Sequence, residues 1–223
     1  MFSVSEEWKV TYPGAAVGVL AIGNVTNPES HPGLDRLKEE VERQIRASFA
    51  STEALRSQPR LQAYRAYYKR FKKTYHVQMQ IESIAFKGKS IPRVAALVEA
   101  MFVAELKDQL LTAGHDLDVV EPPVRLDVAV GTEQYVRING QEQQLKAGDM
   151  FIADAQGVLS TVIYGPDNRT QIVPSTRRAL FTAYAPPGIG EEAVRQHLQN
   201  LTDNIRLFAP QAKIEFLQVY GTE

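Results

Sequence analysis

The chain has 223 residues, 44% apolar and 23% charged, which is enough for a full hydrophobic core and too little charge for global disorder. It has no cysteine, which excludes disulfides and thiolate chemistry and fits a reducing cytoplasm. No apolar run reaches the roughly 18 residues of a membrane span, and a formal net charge of −1 argues against non-specific nucleic-acid binding by the molecule as a whole.

The opening residues Met1–Val10 carry charges and a Trp where a secretory leader needs an apolar stretch. Ala15–Val25, "AAVGVLAIGNV", reads as a buried strand ending before Asn27-Pro28. His31-Pro32-Gly33 is a turn. Leu34, Leu37, Val41, Ile45 and Phe49 then recur at spacings of three and four, as an amphipathic helix requires. Arg60–Phe71 and Tyr75–Phe86 read as two further helices. A helix from about Arg93 to Leu111 follows, with Pro92 at its start and Gly114 placed to end it or the turn after it.

The second half changes period. Val124, Leu126, Val128 and Val130 alternate as in a strand with one buried face. Asn139-Gly140 predicts a type I′ hairpin turn after Gln134–Ile138. Met150–Ala153 and Val158–Ile163 flank an Asp154–Gly157 turn. Arg178–Ala185 is a strand, Glu191–Phe208 a helix and Lys213–Tyr220 a last strand. The class is α+β, a helical N-terminal half with an antiparallel-rich sheet, in a single domain over residues 1–223.

Charge is unevenly placed. Arg56, Arg60, Arg65, Lys69, Arg70, Lys72, Lys73, Lys87, Lys89 and Arg93 lie in one stretch whose only acid is Glu82. Tyr64, Tyr67, Tyr68, Phe71 and Tyr75 interleave with the first seven. Such a local field attracts a polyanion, and Arg65, Lys69, Arg70, Lys72 and Lys73 are its RNA-facing candidates. The alternative is a solvated helix face with its aromatics turned into the core.

Among single residues, His115 beside Asp116 can act as a base or polarise a carbonyl; the pair also suits an ordinary turn. Arg169, after Gly165-Pro166, can hold a carboxylate or phosphate in bidentate fashion. Arg93 at a helix start calls for a nearby acid or an anionic ligand. Four scattered histidines give no metal-binding spacing, there is no glycine-rich phosphate loop, and no Ser/His/Asp set can be nominated. No metal or cofactor is expected.

Residues Tyr64–Asp118 run from "YRAYYKRF" through "SIPRVAALVEAMFVAEL" to "TAGHDLD", followed by "FIADAQGVL" and "STRRALFTAYAP". In order and spacing this resembles the B-three/B-four module of the phenylalanyl-tRNA synthetase beta chain, most closely over residues 64–186. The resemblance implies that fold and an editing site that hydrolyses mischarged tRNA. It makes His115 the catalytic candidate and Gly165 and Thr182 substrate-binding ones, beside Arg93, Asp116 and Arg169, which the residues themselves nominate. Thr182 takes the place of the family's editing Glu, Met101-Phe102 that of its Thr-Asn, and Ala95-Ala96 that of its Asn-Asn. Thr176-Arg177-Arg178 is kept. No room remains for a synthetase catalytic domain, so ligase activity is not expected. Two readings follow: a binding module for an aminoacyl-like ligand or the tRNA acceptor end, and a trans-acting aminoacyl-tRNA deacylase. His115, Arg169 and Thr182 lining one cavity would support the small-molecule part of both.

Overall fold

The computed structural model describes residues 2–222. Strand β1 (Phe2–Val4) leads into α1 (Glu6–Thr11), capped by the Ser5 hydroxyl accepting the Trp8 N–H at 3.0 Å. Strand β2 (Ala16–Gly23) is buried at every position. Five helices come next: α2 (Pro32–Ser48), α3 (Thr52–Arg56), α4 (Pro59–Arg70), α5 (His76–Lys87) and α6 (Ala96–Asp108). The strands β3 (Leu111–Asp116), β4 (Val124–Val128), β5 (Gln134–Val136), β6 (Glu142–Gln144), β7 (Met150–Asp154), β8 (Gly157–Thr161), β9 (Gly165–Pro166) and β10 (Arg178–Ala185) follow. Helix α7 (Glu191–Arg206) and strand β11 (Lys213–Gly221) close the chain. The architecture is α+β, as the hydrophobic periods indicate. No helix among the described residues is long and apolar enough to cross a membrane.

Two main sheets share one core. The first has the order β11-β2-β10-β3, antiparallel throughout. The second has the order β1-β4-β7-β8-β9, with β1 and β4 parallel. Helix α7 lies directly on the first sheet at Gly18. A Cβ there would stand 2.4 Å from Val194 and 2.9 Å from Leu198, so the close approach requires glycine. Gly18 pairs with Ala183, and Ala183 with Thr112, which puts the Thr112 side chain on the helix side. One step along, Thr182, Tyr184 and His115 point the other way, and the last two reach Ser160 of the second sheet.

Two boundaries differ from the sequence reading. Helix α6 starts at Ala96, not Arg93, because its first amides are satisfied from a distant segment. Ala96 N–H donates to the Pro28 carbonyl at 2.9 Å and Leu97 N–H to Asn27 Oδ1 at 2.9 Å. It ends at Gln109, in the left-handed region with φ 60°, and Gly114 and His115 belong to strand β3 instead of a loop. The β5–β6 hairpin is also not a type I′ turn. Of Asn139 and Gly140 only Gly140 has positive φ, and Arg137 N–H donates to Gln141 O at 3.0 Å, giving a three-residue loop.

Candidate ligand cleft and basic groove

Strand β3 is the edge of the first sheet, and beside it opens a cleft of about 390 Å³. Val98, Met101, Phe102 and Glu105 of α6 form one wall. Gly165 and Pro166 of β9, with Ile172, form the other, and Tyr184 and His76 also line it. The lining is predominantly apolar and contains no Lys or Arg. Met101 and Phe102 account for much of that character, since the period that places Glu105 on this face of α6 places them there too.

Glu105 is the exception. It is 2% exposed, and its Oε1 accepts the Thr112 backbone N–H at 2.7 Å. Burial pushes its carboxyl up to about 8, only partly offset by that hydrogen bond. His76 is pushed below its usual range by burial, so it is neutral near pH 7.

A second polar element backs the same strand. Thr112 Oγ1 lies 2.6 Å from His197 Nε2, and His197 Nδ1 lies 2.9 Å from Asp108 Oδ2. Asn200 also donates to Asp108, at 2.9 and 3.0 Å. The order hydroxyl, imidazole, carboxylate is that of a nucleophile triad. It sits in the helix layer, however, where it ties β3, α6 and α7 together. The backbone supplies a further group: Thr112 and Asp116 amides point away from β10, to Glu105 and to the Thr170 carbonyl. By strand alternation the Gly114 amide between them points the same way, along the cleft, and has no partner among the described residues.

The basic stretch forms a groove of about 670 Å³ lined by Arg56, Arg65, Lys69, Lys72 and Lys73, with no acid in its lining. Its aromatics are core residues: Tyr64, Tyr67, Tyr68, Phe71 and Tyr75 are all 5% exposed or less. Arg70 leaves the groove and stacks over Tyr12, 5.1 Å from the ring centre. Helix α4 ends in a Schellman motif: Lys72 N–H donates to Lys69 O and Lys73 N–H to Tyr68 O, each at 3.1 Å. That motif holds Lys72 at φ 56°, where a glycine is usual. Residues adjacent in sequence at the start of α5 line the two: Tyr75 and Gln78 the groove, and His76 the cleft.

Of the residues singled out in sequence for a small ligand, the structure brings Gly165 to the cleft. His115 is fully buried, its Nδ1 2.8 Å from Thr170 Oγ1 and its Nε2 3.2 Å from Ser160 Oγ, so both ring nitrogens are occupied. Asp116 does not face it. The Asp116 carboxylate accepts the Thr176 hydroxyl at 2.6 Å and the Asp118 N–H at 3.1 Å, which fixes the turn before β10. Arg169 is paired with Asp154 at 2.8 Å and donates to the Val119 carbonyl at 3.2 Å. Thr182 is buried between the sheets with its hydroxyl unpartnered. Arg93 is exposed and lies before the helix; the acid at the helix start, Glu99, pairs with Lys38. His115, Arg169 and Thr182 therefore share no cavity. The residues that sequence reasoning missed are Glu105, Thr112 and Gly114; the one available signal was an acid, Glu105, on the otherwise apolar face of α6.

A family described as the B3/4 domain matches residues 61–206, from α4 to the end of α7. The phenylalanine–tRNA ligase beta subunit of Mycoplasma pneumoniae is 26% identical over 109 residues, 49% of this chain and 13% of that protein. The chain thus corresponds to a small part of that relative's length. An N-terminal fragment of the phenylalanyl-tRNA synthetase beta subunit from Pyrococcus horikoshii superposes with a TM-score of 0.50 at 12% identity, over 98% of this chain and 53% of that one. Fold, topology and the extent of the family match agree: the chain belongs to the B3/4 domain family.

Proposed function

We propose that the chain binds the aminoacylated acceptor end of a tRNA, with the phosphates along the basic groove and the aminoacyl group in the cleft. The observation that carries this is the adjacency of Tyr75, which lines the groove, and His76, which lines the cleft. A strongly basic, acid-free groove suits a phosphate backbone. An apolar cleft with few polar groups suits a small organic moiety. The relation to synthetase beta subunits supports an aminoacyl-tRNA as the molecule that joins both features. Such a ligand places the protein's work in the cytoplasm.

The test is tRNA binding as a function of salt. Affinity should fall steeply as salt rises, and charge reversal at Lys72 and Lys73 should weaken binding of any tRNA alike. Absence of tRNA binding at low salt would overturn the proposal.

One observation favours a second reading, ester hydrolysis. The unpaired Gly114 amide is a donor of the kind that holds the oxyanion formed when water attacks an ester. Positioning of the substrate's own ribose hydroxyl would complete such a reaction.

A further inference from the structure

Glu105 is the least expected group in the cleft. A side chain 98% removed from solvent should have its oxygens paired or be replaced by an apolar residue. Oε1 has the Thr112 amide, but Oε2 has no hydrogen-bond partner among the described residues. It is not wholly sealed from solvent, and the surface it reaches is the cleft that Glu105 lines. No basic side chain of the cleft meets it.

We infer that Glu105 is the ammonium-binding group of this cleft, taking ligands that join a primary ammonium to an apolar body. The apolar body lies against Val98, Met101, Phe102 and Ile172, and the ammonium donates to Glu105 Oε2. An anionic headgroup finds no Lys or Arg in the lining to pair with, and is repelled once Glu105 ionises. The inference rests on the aminoacyl reading, because an aminoacyl ester carries an α-ammonium and no free carboxylate. It names the protein group that distinguishes such an ester from an N-blocked acyl group.

The surroundings make binding pH-dependent. Around Glu105 stand Tyr64 and Tyr68 of α4 and Tyr75 before α5, whose hydroxyls are raised first by burial and further by the Glu105 charge. His76 of α5 and Tyr184 of β10 share the cleft, and the His197–Asp108 pair lies beyond Thr112. His76 is neutral near pH 7, so it does not oppose a cation. With its carboxyl held up at about 8, Glu105 is mostly protonated at pH 7 and must release that proton to solvent when an ammonium binds.

The probe is phenethylamine, whose ammonium persists to about pH 10 like that of lysine. Calorimetry at pH 7 in two buffers of different ionisation enthalpy should show about one proton released per amine bound, falling towards zero at pH 9. Affinity should rise by up to about tenfold per unit from pH 6 to 8. 2-Phenylethanol and 3-phenylpropionate should bind at least tenfold more weakly. Glu105→Gln, which keeps the acceptor for Thr112, should remove the preference for the amine. Equal binding of amine and alcohol, or amine binding without proton release in the unmodified protein, would overturn the inference whether or not the variant folds. Amine binding with no tRNA binding would defeat the acceptor-end reading and leave the ammonium site standing; tRNA binding with no amine binding would do the reverse.

Discussion

Thr112 Oγ1 and His197 Nε2 lie 2.6 Å apart, and this contact joins the edge strand of the cleft to the helix behind it. Both residues are buried, and His197 passes the link on to Asp108 at the end of α6. Removing the imidazole leaves a hydroxyl and a carboxylate without their partner. His197→Ala should therefore lower stability by about 2–4 kcal/mol, the range for orphaned buried polar groups plus a cavity. Gln196→Ala on the exposed side of the same helix should change it by less than about 0.5 kcal/mol. Denaturant midpoints measure both; equal small effects would show that the network holds nothing together.

The Lys72 backbone provides a test that separates stability from binding. A non-glycine residue at φ 56° costs about 1 kcal/mol relative to glycine. Lys72→Gly should raise the melting temperature and, at the same time, weaken tRNA binding and reduce its salt dependence by about one phosphate contact. Arg70→Ala should leave tRNA affinity nearly unchanged, because Arg70 is stacked on Tyr12 outside the groove. Binding that depends on Arg70 and not on Lys72 would move the RNA surface to another face.

Glu105 makes stability depend on pH in a known direction. Its folded pKa, about 8, lies above the ordinary carboxyl value, so the folded state holds the proton more tightly than the unfolded chain. The resulting contribution is full below about pH 4 and is lost as pH rises through 8. Asp149, raised by burial to about 6, adds the same slope to any variant and cancels in the comparison. The melting temperature of Glu105→Gln minus that of the parent should therefore grow between pH 5 and 8.5. A constant difference would mean that Glu105 is ionised in the folded protein.

Hydrolysis has its own discriminating pair. tRNA charged with tyrosine, alanine, serine or a bulky apolar amino acid should be followed for ester loss. If the ribose hydroxyl drives the reaction, a 2′- or 3′-deoxy terminal adenosine abolishes it. His115→Ala should destabilise the protein by about 1–3 kcal/mol, since Thr170 and Ser160 lose their partner. A hundredfold loss of activity in His115→Ala at unchanged stability would instead make His115 a catalytic base. No acceleration over buffer for any ester would leave binding as the sole activity.

How much of this was legible beforehand follows from the range of the interactions involved. The α2 stripe, β10 and α7 were readable because local periodicity and burial coincide there. The start of α6 was not, since Asn27 and Pro28 supply its caps from about 70 residues away. Strand β3 was masked for a related reason: "LTAGHD" carries a glycine and three polar residues that only neighbours from β8, α7, the 167–170 turn and Thr176 make suitable for burial. The basic groove was visible as composition, but the exit of Arg70 depends on Tyr12 in a distant helix turn. Gly165 lies at the cleft, and so does Glu105, which was hidden among apolar neighbours on the same face of α6.

The most direct test of the central claim compares one tRNA in two forms, uncharged and carrying a non-hydrolysable amide-linked apolar amino acid. If the aminoacyl group enters the cleft, burying even two or three methylenes should contribute about 2 kcal/mol, so the charged form should bind at least tenfold more tightly. That advantage should vanish in Glu105→Gln combined with Phe102→Asp, with the uncharged tRNA binding as before. Equal affinity for the two forms in the unmodified protein would show that the cleft does not receive the aminoacyl end.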